Sequence, residues 1–283
     1  MARRLKAPLQ NEPVATPAAL ARHLAIFAAI ATLFSIVIVR FGIFEPRPAI
    51  ATFLGALAFA GLSILVALLG FVSIWRHGTR GFGHIALAIL IAVLILIYPA
   101  YLTTKFRSLP PIHDITTDPI DPPKFETLAR LRGVGGANPA AYAGLYSAEQ
   151  QQKAYPNVEP ILADATPAQA YDVVMALIVK RKWSVVDARK PQPPRNVGHI
   201  EAVARTAIMG FRDDVAIRIK PDGGGAKIDM RSSSRYFTHD LGTNASRLIA
   251  FVEEANERIE ALRPEPGAEP KKPAAPNKRA PKR

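Results

Sequence analysis

Cysteine does not occur anywhere among the 283 residues. Its absence excludes disulfides, thiolate metal sites and a cysteine nucleophile, and it suits either side of a membrane. Charge is missing too, from three long stretches: Leu24 to Val39, Ala49 to Trp75 and Ile85 to Leu102 contain no Asp, Glu, Lys or Arg. Each approaches the roughly 20 apolar residues that cross a bilayer. A transporter or proton pump normally needs an ionisable group inside the membrane, and here His23 and His84 sit only at the edges of the runs. The three runs therefore read as an anchor.

The formal charge is +13, which raises the question of nucleic acid. From Ser108 to Leu262 the chain has 19 Lys/Arg and 19 Asp/Glu, and the whole excess lies in the N-terminal arm, the short loops and the tail. Basic flanks beside apolar spans serve orientation and contact with anionic lipid. No nucleic-acid partner is expected.

Arg3, Arg4 and Lys6 supply a basic start, but the first run is bounded by Arg22 and Arg40 and lacks a following small-residue cleavage pattern. It reads as a retained span rather than a signal peptide. Arg40 has to snorkel, with Phe41 to Phe44 extending the run, for it to reach full length. Three spans place Arg3, Arg4, Lys6, Arg22, Arg76 and Arg80 on one side and Arg40, Arg47, Lys105 and Arg107 on the other. The bias favours a cytoplasmic N-terminus and an outward-facing domain, which in a bacterium means a multi-pass protein of the inner (plasma) membrane with a periplasmic C-terminal domain. Trp75, Tyr98 and Tyr101 suit interfacial anchors. Ala51 with Gly55 and Ala56 with Ala60 permit close helix packing.

The organisation that follows is an N-terminal arm over residues 1–20 and a transmembrane region over 21–105, with helices at about 24–43, 49–75 and 85–103. A Pro-rich connector fills 106–123, a soluble α+β domain fills 124–262, and a disordered Pro/Lys/Arg tail fills 263–283. Residues 124–132 and 140–152 have helix-compatible composition on either side of Gly133 to Gly136, which lacks the Lys-Ser/Thr of a phosphate loop and reads as a hinge. Thr166 to Lys182 is predicted as a helix: Thr166 caps, Pro167 takes the first position and Gln169 completes a capping box. The period then changes to two over Trp183–Ala188, His199–Ala207, Asp214–Lys220 and Ala226–Ser232. Pro221 to Gly225 is a hairpin signal between the last two. Val215, Ile217, Ile219, Ile228 and Met230 give the sheet one apolar face, and the opposite face reads as charged. A final helix from Asp240 to Leu262 carries a seam of Leu241, Ala245, Leu248, Val252, Ala255, Ile259 and Leu262 that covers the apolar face. The fold class is thus a three-helix transmembrane N-terminal region, then an α+β domain whose antiparallel sheet is packed by helices.

The densest polar cluster contains Glu201, Asp214, Arg218, Arg231, Ser234, Arg235, Asp240, Asn244 and Arg247. One reading is a charged groove in which Arg235 and Arg247 hold an anionic ligand. The other is a network of ion pairs that fixes strand register and joins the last helix to the sheet, with Arg218 and Asp229 as possible cross-strand neighbours. The ion-pair network is the favoured reading, since surface pairs are common. Asp213 and Asp214 point to opposite faces of a regular strand and make no catalytic carboxylate pair. His239 and Asp240 near Ser232 and Ser234 allow a hydrolase sketch, but no nucleophile-elbow sequence accompanies them. His113, Asp114 and Asp118 lack recognised metal-ligand spacing and suit caps and turns. The catalytic residues are unknown, and no metal or cofactor is expected.

Pro111-Ile112-His113-Asp114-Ile115-Thr116-Thr117-Asp118, Ala154-Tyr155-Pro156, Ile200-Glu201-Ala202, Thr206, Gly210-Phe211, Asp213-Asp214-Val215, Ile217-Arg218, Asp229-Met230-Arg231-Ser232, Ser234-Arg235 and Asp240-Leu241-Gly242-Thr243-Asn244 follow one another in this chain. In order and type they resemble the domain of unknown function 1499 family. Its members occur in bacteria, often behind membrane spans, with relatives associated with chloroplasts and no established reaction. The resemblance implies a domain boundary and singles out Arg235, Asp240 and Asn244 without supplying chemistry. Tyr236-Phe237-Thr238-His239 departs from the family, which has Gly and small polar residues there. The resulting expectation is a non-enzymatic, membrane-anchored envelope protein whose partners are the lipid bilayer and another envelope protein or an anionic ligand. The alternative is a membrane-tethered enzyme acting on an anionic envelope substrate around Arg235 and Asp240.

Overall fold

A computed structural model describes residues 13–42, 46–132 and 137–262. The proposed arm before residue 13, the Gly133–Gly136 hinge, the tail after residue 262 and part of the Phe41–Phe44 extension lie outside these described residues. Three helices come first: α1 (Thr16–Phe41), α2 (Pro46–His77) and α3 (Phe82–Ser108). All three are long and apolar enough to cross a membrane. At 1.5 Å per residue the shortest, with 26 residues, is about 39 Å long, so the helices continue beyond the apolar runs at their ends.

Small residues bring the three helices together. Ala18, Ala21, Ala25 and Ala28 of α1 pack against Ala60 and Ala67 of α2 and Ala88 and Ala92 of α3, all buried. Ser63 donates to the Ala21 carbonyl at 3.0 Å, which satisfies its hydroxyl inside the bundle. Of the two small-residue pairs singled out on α2, Ala56 with Ala60 is buried, whereas Ala51 and Gly55 are exposed. Large apolar side chains such as Leu33, Phe34, Leu65 and Leu94 point outward.

The domain beyond is a six-stranded antiparallel sheet: β1 (Asp114–Thr116), β2 (Ile161–Ala163), β3 (Ser184–Arg189), β4 (Gly198–Arg205), β5 (Arg212–Asp222) and β6 (Gly225–Ser234). The path is β1-β6-β5-β4-β3, and β2 pairs with the other end of β6. Gly223 and Gly224, both at positive φ, make the two-residue turn of the β5–β6 hairpin, where a side chain would strain the backbone. Helices α6 (Pro167–Lys180) and α7 (Thr243–Glu260) lie on one face. Their Ala170, Val174, Leu177, Leu248 and Phe251 meet Ile200, Val215, Ile217, Ile219, Ile228 and Met230 in the main core. Thr166 caps α6, and the reciprocal bonds with Gln169 form the complete capping box.

Two expectations need correction. The passage read as a plain connector contributes β1 to the sheet, with Asp114 opposite Ser233 and Thr116 opposite Arg231. The ion-pair network, favoured because surface pairs are common, is also not at the surface: the charged face of the sheet that carries most of it is covered. Phe125 and Leu128 pack on Ala216, with Ala140, Val186 and Val203 beside them. Asp214, Asp229, Arg231 and Glu201 are buried beneath this layer. The layer is built from irregular chain and the short helix α4 (Thr127–Leu131), with α5 (Leu145–Ala154) at its edge. It displays no hydrophobic period of its own, because its contacts are made with the sheet rather than along a helix.

Candidate functional site

The nine candidate residues divide between the two faces of the sheet. On the covered face, Arg231 binds Asp114 through Nε (2.9 Å) and Nη2 (2.6 Å) and also donates to the Ala140 carbonyl. Its guanidinium lies between the rings of Phe125 and Tyr142. Asp214 accepts from Arg132 at 2.7 Å and from Arg235 at 2.8 Å. Arg218 stands opposite Asp229 in the strand register and bonds it, and it reaches Asp121 in the covering layer as well.

Glu201 performs a different task. Its carboxylate accepts the amides of Glu126, Thr127 and Leu128 at 2.7–3.1 Å, closing the start of α4 from a distant strand. Burial would raise its pKa, but the bonds from these amides and from His199 outweigh burial and hold it below the ordinary carboxylate range. Glu126, His199 and Glu201 bring ligand-type atoms within 4.8 Å of one another. Those atoms are engaged in the bonds to Arg189, to the three amides and between His199 and Glu201.

On the helix face, Asn244 is the hub. It donates to Ser234 and to the His113 carbonyl and accepts from Ser232, while Arg247 reaches Ser232, Asn244 and Asp213. Both Asp240 oxygens accept backbone amides, of Gly242 and Asn244, at 2.9 and 2.8 Å. The Asp240 carboxyl is nonetheless pushed up, first by burial and further by the charge of Asp213. Gly242 takes a positive φ at the start of α7, and a Cβ there would meet Leu109 at 2.9 Å. Arg235 and Arg247 consequently serve carboxylates on opposite faces and share no groove. The same alternation that separates Asp213 from Asp214 separates their two arginines.

The hydrolase sketch finds no geometry. His239 Nε2 lies 3.3 and 3.2 Å from the Phe106 and Leu109 carbonyls, and its Nδ1 accepts from the Leu241 amide. That pattern places the proton on Nε2 of a neutral ring, with neither nitrogen turned to a serine. The ring stacks on Phe106, 4.8 Å between centroids.

Among the described residues two clamps join domain and bundle, and His239 is one. The other is Arg40, which donates to the Ala207 and Ile208 carbonyls of the β4–β5 loop, while Arg205 donates back to the Arg40 carbonyl at 2.6 Å. Arg40 is thus engaged by the domain at the end of its helix. Gly210 takes a positive φ in that loop, and a Cβ there would stand 3.1 Å from Arg40 Cα. Between the clamps lies a chamber of about 270 Å³. Tyr98, Tyr101, Leu102 and Lys105 of α3 form one wall, and residues 206–212 and 236–243 form the others. Asp213 (1% exposed), Asp240 and Ser234 are its buried floor, and half-exposed Tyr101, Ile208 and Phe237 are its rim. Of the nine candidates, only Ser234 and Asp240 touch this space. Sequence reasoning took Tyr98 and Tyr101 as anchors, counted Lys105 toward topology alone and passed over Met209. The available signal was Ala207-Ile208-Met209, an apolar loop where a solvated hairpin carries polar residues.

Fold and site together define a class: a three-helix membrane-type bundle carrying an α+β domain clamped onto one end. A family model described as "Protein of unknown function (DUF1499)" matches residues 114–254. The chain belongs to that family through this domain. No curated protein matches it.

Proposed function

We propose that the protein is a non-enzymatic, membrane-anchored cell-envelope protein that binds an envelope component in the chamber between α3 and the domain. The chamber itself carries the reading: one wall is formed within about the last three turns of an apolar helix, and its floor is polar and buried. A site of that composition suits an amphiphile at the bilayer surface. The charged residues elsewhere support a structural role, because Arg231, Arg235 and Arg218 are each spent on buried carboxylates. The enzymatic alternative draws little from Asp240, whose oxygens cap α7.

The proposed setting is a bacterial inner membrane, with the N-terminus cytoplasmic and the domain periplasmic. Val14 bridges to Arg80 between α2 and α3, so Arg22, Arg76 and Arg80 share the end of the bundle away from the domain. Arg40, on the domain's side, is occupied by contact with the domain, which lessens its weight in the positive-inside count.

The test is native mass spectrometry of the full-length protein after gentle extraction, beside Ala207→Trp, which puts an indole into the chamber. A bound amphiphile in the wild type that is lost from the folded variant is the expected result. A wild type that carries none, or a variant that retains it, would refute the reading.

A further inference from the structure

Two features of the chamber are unspent. Asp213 is 1% exposed and its Oδ2 accepts from Arg247, but its Oδ1 has no hydrogen-bond partner among the described residues. A carboxylate oxygen left bare in a buried site is costly unless a ligand supplies the donor. The two floor carboxylates are served differently: Asp213 meets one cation, Arg247, whereas Asp240 accepts the backbone amides of Gly242 and Asn244. At the same chamber, Lys105 and Arg212 pair with no carboxylate among the described residues. The Lys105 ammonium rests on the Tyr101 ring, 5.4 Å away. A buried acceptor lacking a donor, with two solvent-reaching cations at the same chamber, suits a ligand with both signs of charge.

We infer that the chamber holds the headgroup of a phospholipid bearing a primary ammonium, of the phosphoethanolamine type. The ammonium donates to Asp213 Oδ1, the phosphate meets Lys105 and Arg212, and the acyl chains leave along the apolar face of α3 beside Tyr98 and Leu102. A primary ammonium fits better than a quaternary one, because the bare oxygen needs an N–H and trimethylation removes every donor. A phosphate alone would satisfy the cations and leave the floor oxygen bare. The source is the bilayer rather than a soluble phosphate ester, since α3 supplies the wall. This inference rests on the binding function proposed above and narrows its ligand.

The experiment uses delipidated full-length protein in detergent, titrated with dioleoyl phosphatidylethanolamine, its N-methyl and N,N-dimethyl forms, phosphatidylcholine and phosphatidylglycerol, and read by native mass spectrometry. Affinity should fall along the methylation series, by about tenfold or more from ethanolamine to choline, as loss of a charge-assisted hydrogen bond implies. Lys105→Ala should weaken every phospholipid alike, whereas Asp213→Asn should flatten the series. Phosphatidylcholine or phosphatidylglycerol bound as tightly as phosphatidylethanolamine would overturn the assignment, and the wild-type series decides this even if Asp213→Asn does not fold. A different amphiphile that Ala207→Trp displaces would overturn only the headgroup and leave the binding function standing. No ligand at all would remove both.

Discussion

At the scale of single residues, the domain is held by ionic side chains that carry out defined structural work. Arg231 is buried, bidentate to Asp114 and flanked by two rings. Removing its partner leaves a guanidinium uncompensated in the interior, which costs about 3–5 kcal/mol. Asp114→Ala should therefore lower the melting temperature of the full-length protein sharply, and a change within error would remove Arg231 from the account. Glu201 gives a pH signature. Its folded carboxyl is held below the ordinary range by the three α4 amides and His199, so its contribution is present above the unfolded glutamate pKa. That contribution is lost as pH falls through the folded value. Glu201→Gln should cost about 1–3 kcal/mol near neutrality and should flatten the acid limb of a stability-versus-pH profile. Parallel acid limbs in the two proteins would show that the carboxylate charge is not what closes α4.

Elements were legible in the sequence where their signals were local. The α6 capping box, the period-two runs of β3 to β6 and the Gly-Gly turn are each written within a few residues, and the structure has them. Thr166→Ala should cost about 1 kcal/mol by removing the cap, measured as a small downward shift in thermal unfolding. A shift comparable to that of Asp114→Ala would mean that Thr166 does more than cap. The short strands β1 and β2, three residues each, are too brief to display a period. The α4 start was illegible for a plainer reason: its cap, Glu201, lies 73–75 residues away. The candidate cluster was legible as chemistry but not as geometry. Nothing in the spacing of Arg235 and Arg247 states that each follows a different one of two adjacent aspartates, although strand alternation implies it.

For the whole molecule, the odd number of long apolar helices and the two clamps fix the domain at the end of the bundle away from Val14. A reporter active only outside the cytoplasm, fused after Leu262, should be active, and an inactive but stable fusion would reverse the proposed orientation. The central claim is more specific, namely that the chamber lies at the bilayer surface. Because the chain has no cysteine, single cysteines can be placed and labelled uniquely. Met209 is on the chamber wall, whereas Asp222 ends a strand of 11 residues, about 33 Å from its start at 3.3 Å per residue. The decisive measurement is quenching of an environment-sensitive fluorophore at each position, in reconstituted vesicles, by a quencher carried on the lipid headgroup. The account predicts strong quenching for Met209→Cys and little for Asp222→Cys. Equal, weak quenching at both positions would show that the chamber stands away from the membrane and would contradict it.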